Sequence, residues 1–302
     1  MTTMKKLIFS ALAASAIASA DVATVLPYYG TINYDNATEK SLKDSSKFGG
    51  VYTSVGNLGY LLEFAYNYLD TTYKESIGIP HLKQHDLTLV YSKYYEKYMF
   101  KGGIHYINNN EDVTFRDLGS GFTGILGVGA YTFTEKSKIT YGLDLYYSRY
   151  RSAHDETSIA NTTTISLWQF TPYFEYGTTI SPVLSNKFSV KANVITTNDY
   201  QDSNYLSFDI SDTVTYHGAY LTLGYLGGDM KSGVRDNGFS VYNTKDLYSR
   251  SYQAKIGYYF TPKLNVSVSY TANDYKEYNA ATLQLMPEGR NSIVYGAVSY
   301  SF

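Results

Sequence analysis

The sequence predicts an all-β fold, a transmembrane antiparallel up-and-down β-barrel of about 14 strands. Three observations predict it. Stretches of about 10–14 residues alternate apolar or aromatic side chains with small or polar ones, the period-2 pattern of strands. The connections between these stretches alternate in length, short then long, as in a barrel with two unequal rims. The 302 residues include 35 Tyr, 14 Phe and 24 Gly, and only 17% are charged, against roughly 25% in typical soluble domains.

The first element is an address rather than structure. Lys5 and Lys6 form a basic stretch, residues 7–17 are apolar, and Ala18-Ser19-Ala20 supplies small residues at a cleavage site. This is the pattern of a secretory signal peptide, and the apolar run is short of the roughly 20 residues that a spanning helix needs. The expected organisation is a signal peptide at 1–20 and a single barrel domain at 21–302. No later segment reads as a spanning helix, so a membrane fold must be a closed barrel, which leaves no backbone group unpaired in lipid.

The strands follow in order. Tyr60, Leu62, Phe64, Tyr66 and Tyr68 share one face, with Glu63 and Asn67 on the other. Ile139, Tyr141, Leu143, Leu145 and Tyr147 alternate with residues that include Asp144, and Tyr252, Ala254, Ile256, Tyr258 and Phe260 with residues that include Lys255. Each charge lies opposite the aromatic stripe, as lipid-facing and lumen-facing positions require. By this parity an arginine is expected to be costly at 143 and tolerated at 144. Short turns are expected at Gly56-Asn57, Glu96-Lys97, 134–137, Ser211-Asp212 and Thr261-Pro262-Lys263, with a somewhat longer one at 178–186. Long polar connections fall near 35–45, 71–83, 109–117, 152–161, 199–204, 228–246 and 275–289. Strict alternation requires a short strand at 205–210, with Leu206, Phe208 and Ile210 on one face. That brings the count to an even 14, with 12 or 16 as the alternatives.

The last strand carries the most specific signal. Val294, Gly296, Val298, Tyr300 and Phe302 share a face, and Phe302 is the final residue. Here the chain resembles Gram-negative outer-membrane β-barrel proteins of porin-like type, whose closing strand ends in an aromatic residue. The resemblance implies the bacterial outer membrane as location, membrane lipid as surroundings, and recognition of the last strand by the barrel-assembly machinery. A soluble sandwich would need more inward aliphatic residues, and a β-helix would show a short repeat.

Composition excludes several chemistries. Without cysteine there is no disulfide framework, thiolate metal site or cysteine nucleophile. A net charge of −2 argues against nucleic acid, which needs a basic surface. Of the five histidines, His85 beside Asp86 and His154 before Asp155 and Glu156 are the local candidates for a rim-active hydrolase. His81, His105 and His217 lack even that. Neither candidate sits in a catalytic motif, and the nucleophile-elbow pattern is absent; no enzymatic role is expected. Asn108-Asn109-Asn110-Glu111-Asp112 is oxygen-rich but lacks the spaced carboxylates and glycine of a calcium loop. Asn161-Thr162-Thr163 fits a glycosylation pattern of little meaning in bacterial export. No cofactor or metal is expected. Tyr28, Tyr91, Tyr147 and Tyr176 are assigned to interfacial girdles, and Tyr146, Tyr216 and Tyr259 to the lumen.

Parity places Glu63, Asp86, Lys101, Asp144, Glu175, Lys191, Asp209 and Lys255 on the inner wall. The mixture of signs suits water and is not a one-sign selectivity ring. The long connection 228–246 carries Asp229, Lys231, Arg235 and Asp236. It is expected to fold inward as a constriction, with Lys231 and Arg235 approaching Glu63 and Asp144. The resulting expectation is a channel for passive diffusion of small hydrophilic solutes or ions. The alternative is a barrel with a closed lumen, structural or adhesive, acting through its loops.

Overall fold

The computed structural model describes residues 21–75, 81–109, 119–153, 162–198, 204–244, 246–279 and 284–302. The signal segment 1–20, the Glu111 loop and His154-Asp155-Glu156 with Asn161 lie outside the described residues. Fourteen strands form the wall: β1 Val22–Asn33, β2 Lys43–Asn57, β3 Tyr60–Tyr73, β4 Leu82–Tyr95, β5 Tyr98–Asn109, β6 Gly121–Phe133 and β7 Ser137–Ala153. They continue as β8 Thr162–Ser181, β9 Leu184–Thr197, β10 Asn204–Tyr216, β11 Ala219–Lys231, β12 Leu247–Thr261, β13 Leu264–Lys276 and β14 Gly289–Ser301. Each strand pairs antiparallel with its chain neighbours, and β1 closes the barrel by pairing with both β2 and β14. Closure leaves no sheet edge, which is the condition for crossing a bilayer with strands.

The alternation in the sequence becomes two chemically distinct surfaces. On β10, Leu206, Phe208 and Ile210 are exposed while Tyr205 before them and Ser207 among them are buried. On β7, Leu143 is 40% exposed and Asp144 only 2%. Exposed side chains on the outside are apolar in mid-strand, such as Leu126, Leu223, Ile256 and Val268. Aromatic residues flank them, including Tyr147 packed on Trp168 with ring centroids 4.6 Å apart. An apolar belt between aromatic girdles is the lipid-facing surface of a transmembrane barrel.

Hairpin chemistry explains where the expected turns move. The strand at 205–210 continues to Tyr216, so Ser211-Asp212 is mid-strand and the turn is His217-Gly218. Both of its residues take left-handed angles, φ +48° and +84°, as a two-residue hairpin turn of the favoured hand demands. Ser211 lies on the wet inner face, and Asp212 lies on the outer face toward the end of the strand, where its carboxylate accepts from Asn186 Nδ2 at 2.7 Å; both are residue types that turns also use. Asn57 ends β2 rather than forming the turn, and its Oδ1 accepts from the Gly59 and Tyr60 amides at 2.8 and 3.2 Å. The connection expected at 178–186 contracts to Pro182-Val183. Short turns and both described chain ends share one rim, the periplasmic side by the usual rule; the long connections share the other.

Two tyrosines change sides. Tyr28 lies on the inner face of β1, where its hydroxyl would meet a Cβ at Gly50 at 2.6 Å. Tyr216, assigned to the lumen, is 57% exposed at the periplasmic end of β10.

Candidate functional site: a segment across the lumen

The connection 232–246 joins β11 to β12, and its described residues, 232–244 and 246, run inside the barrel. Their approach starts at a bulge in the β11–β12 pairing between Gly227 and Met230, where Gly228 has φ +96°. The bulge re-aims the chain so that Met230, Lys231, Ser232, Gly233 and Val234 are all buried. The segment then folds on itself, with Val234 opposite Val241 and Arg235 opposite Ser240. The Tyr242 amide donates to the Gly233 carbonyl at 2.9 Å. Its tip, Asp236, Asn237 and Gly238, holds three consecutive left-handed residues. Gly238 has φ +99° and is packed where a Cβ would collide with Ile125. Such a tip persists only where surrounding contacts over-determine it.

Those contacts come from both sides of the wall. Gln169 on β8 clamps Val234: its Oε1 accepts from the Val234 amide and its Nε2 donates to the Val234 carbonyl, each at 2.7 Å. Arg235 forms an ion pair with Asp209 on β10, whose other oxygen accepts from Asn193 at 2.9 Å. Lys191 on β9 reaches Asn237 Oδ1 at 3.4 Å. Across the bore, Phe239 meets the Tyr52 ring of β2 edge-on at 5.4 Å, and Asn243 donates to Gln84 on β4 at 2.9 Å. Asp246 pairs with Lys43 at the start of β2 at 2.7 Å, both side chains buried. Wall strands on opposite sides therefore hold one segment. Val234, Ile125, Tyr146 and Val90 form an apolar cluster with Phe239 and Val241 packed against it. A second cluster near the outer mouth joins Ile107, Leu167, Ile195, Met230, Tyr248 and Tyr275.

The inner-wall charges fall into distinct environments. Lys101 and Asp144 pair at 2.7 Å and are 8% and 2% exposed; the Tyr146 hydroxyl donates to the same carboxylate at 3.1 Å. Glu63 accepts from Tyr52 at 2.7 Å and Asp86 from Gln84 at 2.8 Å. Lys187 pairs with Glu175 at 3.1 Å toward the periplasmic rim, and Lys255 lies 5.9 Å from the Tyr220 ring centroid. The expected approach of Lys231 and Arg235 to Glu63 and Asp144 is corrected. Those acids are engaged by Tyr52 and Lys101, and the nearer Asp209 takes Arg235. Lys231 is buried at the end of β11, Asp229 beside it is exposed, and Asp236 accepts from Ser240 at 2.6 Å within the segment. Beneath the tip, Thr171, Ser189, Lys191, Asn193, Asp209, Arg235, Asn237 and Gln253 line a polar cavity of about 90 Å³, room for several waters.

Among the described residues, His85 and Asp86 do not assemble into a site. His85 points outward between Tyr66 and Tyr68, whereas its neighbour Asp86 points in. His105 is buried inside, sharing a 2.7 Å hydrogen bond with Thr88. Gln169 and Asn193, which hold the segment, escaped sequence reasoning. Their inward parity was readable, but nothing local distinguishes a clamp from ordinary polar lining.

A closed 14-strand antiparallel barrel with an apolar outer belt between aromatic girdles is the architecture of a transmembrane β-barrel. Solved structures agree on this fold. The chain is similar to the CymD monoaromatic hydrocarbon channel (8% identity, 95% of this chain and 90% of that one covered, TM-score 0.54). It is also similar to a FadL homologue of Pseudomonas aeruginosa (11%, 95% and 92%, 0.51) and to the toluene transporter TodX of Pseudomonas putida (8%, 94% and 89%, 0.50). Neither a protein-family model nor a curated protein sequence matches the chain.

Proposed function

We propose that this protein is a transport channel of the outer membrane, without enzymatic activity. Its bore is regulated by the segment 232–246, and its cargo is small hydrophilic solutes moving passively. The observation that carries the reading is the segment's attachment to opposite walls, through Gln169 and Asp209 on one side and Tyr52, Gln84 and Lys43 on the other. A connection held across a lumen sets what passes, because charge and width at the narrowest point determine the permeation barrier. The three structural neighbours are named as a channel, a FadL homologue and a transporter, which supports transport as the class. The hydrocarbon cargo named for two of them fits this chain less well: the wall toward the periplasm carries Glu63, Lys101, Asp144, Glu175, Lys191 and Lys255.

The apolar packing of Val234, Phe239 and Val241 favours a second reading, a permanently closed structural or adhesive barrel. Replacing residues 234–241 with Gly-Gly separates the two. Gly233 and Tyr242 are already joined by a backbone hydrogen bond, so two residues span the gap. In planar bilayers the shortened protein is expected to show larger, longer-lived conductance steps than the full chain. A folded, inserted variant that conducts nothing would overturn the channel reading and leave the closed barrel.

A further inference from the structure

Seating of the lumen segment breaks up a cross-strand pair. Lys191 and Asp209 stand opposite each other on β9 and β10, where oppositely charged side chains ordinarily meet. Asp209 instead gives one oxygen to Arg235 and the other to Asn193. Lys191 is left with the neutral Asn237 Oδ1 at 3.4 Å. At the segment's tip, Asp236 accepts from the Ser240 hydroxyl at 2.6 Å. Among the described residues neither Lys191 nor Asp236 forms an ion pair. Both line the polar cavity of about 90 Å³ beneath the tip, together with Arg235, Asp209 and Gln253. Two cations and two carboxylates therefore share one small space. Arg235 and Asp209 cancel, which leaves one ammonium and one carboxylate, and Lys191 touches the residue that follows Asp236.

We infer that this cavity binds a small zwitterion, an α-amino acid with a short side chain. Its carboxylate meets the Lys191 ammonium and the Gln253 amide, and its ammonium meets Asp236. The charge balance selects this class. A simple anion or cation satisfies one group, leaves the other unpaired, and adds net charge to a neutral, confined site, which is costly. A polyol adds no charge but offers only uncharged partners, and hydrogen bonds between an ion and an ion are the stronger kind. A zwitterion pairs both charges and keeps the sum at zero. Asp236 and Arg235 arrive with the segment, whereas Lys191, Asp209 and Gln253 belong to the wall, so the site exists only while the segment is seated. That such a solute is the cargo rests on the channel reading.

The test is calorimetric titration of the folded, detergent-solubilised full-length protein with free L-alanine; acetate, methylammonium and glycerol are parallel arms. Heat-modifiable migration confirms folding of every variant, and KCl conductance in planar bilayers is recorded on the same preparation. The amino acid is expected to bind at least about tenfold more tightly than any of the other three, and K191M and D236N are each expected to weaken its binding about tenfold. K191M leaves the weaker methylammonium binding unchanged, and D236N that of acetate, a split that general loosening of the segment does not produce. Absence of amino-acid binding, equal binding of glycerol or acetate, or wild-type amino-acid binding in both variants would each overturn the inference. Conductance without amino-acid binding refutes the site alone, whereas amino-acid binding without conductance upholds the site and refutes the channel reading.

Discussion

Gln169 is the position where one substitution tests the lumen segment most directly. Its amide is fully buried and bonds both backbone groups of Val234, and its Nε2 also lies 3.0 and 3.2 Å from Thr171 Oγ1 and Asn193 Oδ1, which compete for its second hydrogen. Gln169→Met keeps the length and volume of the side chain but leaves the Val234 N–H and C=O without their partner. An unsatisfied buried polar group costs about 1–3 kcal/mol, so seating of the segment loses about 2–6 kcal/mol. At 1.4 kcal/mol per factor of ten, the ratio of seated to displaced segment falls by at least about 30-fold. The wall is affected far less, because Gln169 contributes to the β8 ladder through its backbone, which the change leaves intact. Two assays read the displacement. Planar-bilayer recordings are expected to show more frequent high-conductance openings, and limited proteolysis is expected to cut within 232–246 at a protease level that spares the wild type. A correctly folded variant with wild-type conductance and wild-type protease resistance would refute the clamp.

Leu143→Arg places a charge on the lipid face and is expected to cost about 2–4 kcal/mol in a denaturant-unfolding measurement in vesicles. The structure revises the expectation for the adjacent position. Asp144 is buried against Lys101, so Asp144→Arg opposes two cations and Asp144→Asn strands one, the latter at about 3–5 kcal/mol; wild-type stability in either variant would contradict a paired interior. Deleting Phe302, whose ring packs on Tyr300 at 4.9 Å and whose amide donates to the Ala23 carbonyl at 2.9 Å, should lower the yield of heat-modifiable inserted protein. Undiminished insertion would remove the closing strand's assembly role.

The wall was legible in the amino-acid order because its cause is local. Period-2 alternation puts every second side chain in lipid, so Leu143 and Asp144 declare their faces without knowledge of any distant residue. The need for an even strand number then recovered the strand that begins at Asn204, although its far end was misjudged. Ser211 and Asp212 are residue types that turns select, yet Ser211 serves the wet inner face and Asp212 an outer position bonded to Asn186; local chemistry cannot separate those uses from a turn. The inward course of 232–246 depended on the tertiary structure. Its length suggested a role, but its partners were decided by contacts between residues far apart in the chain. Gln169 lies 65 positions from Val234, and Lys43 lies 203 from Asp246. Arg235 could have met any inner acid. Barrel closure places Asp209 beside its entry path while Glu63 and Asp144 are engaged by Tyr52 and Lys101, so geometry made the choice that charge alone left open.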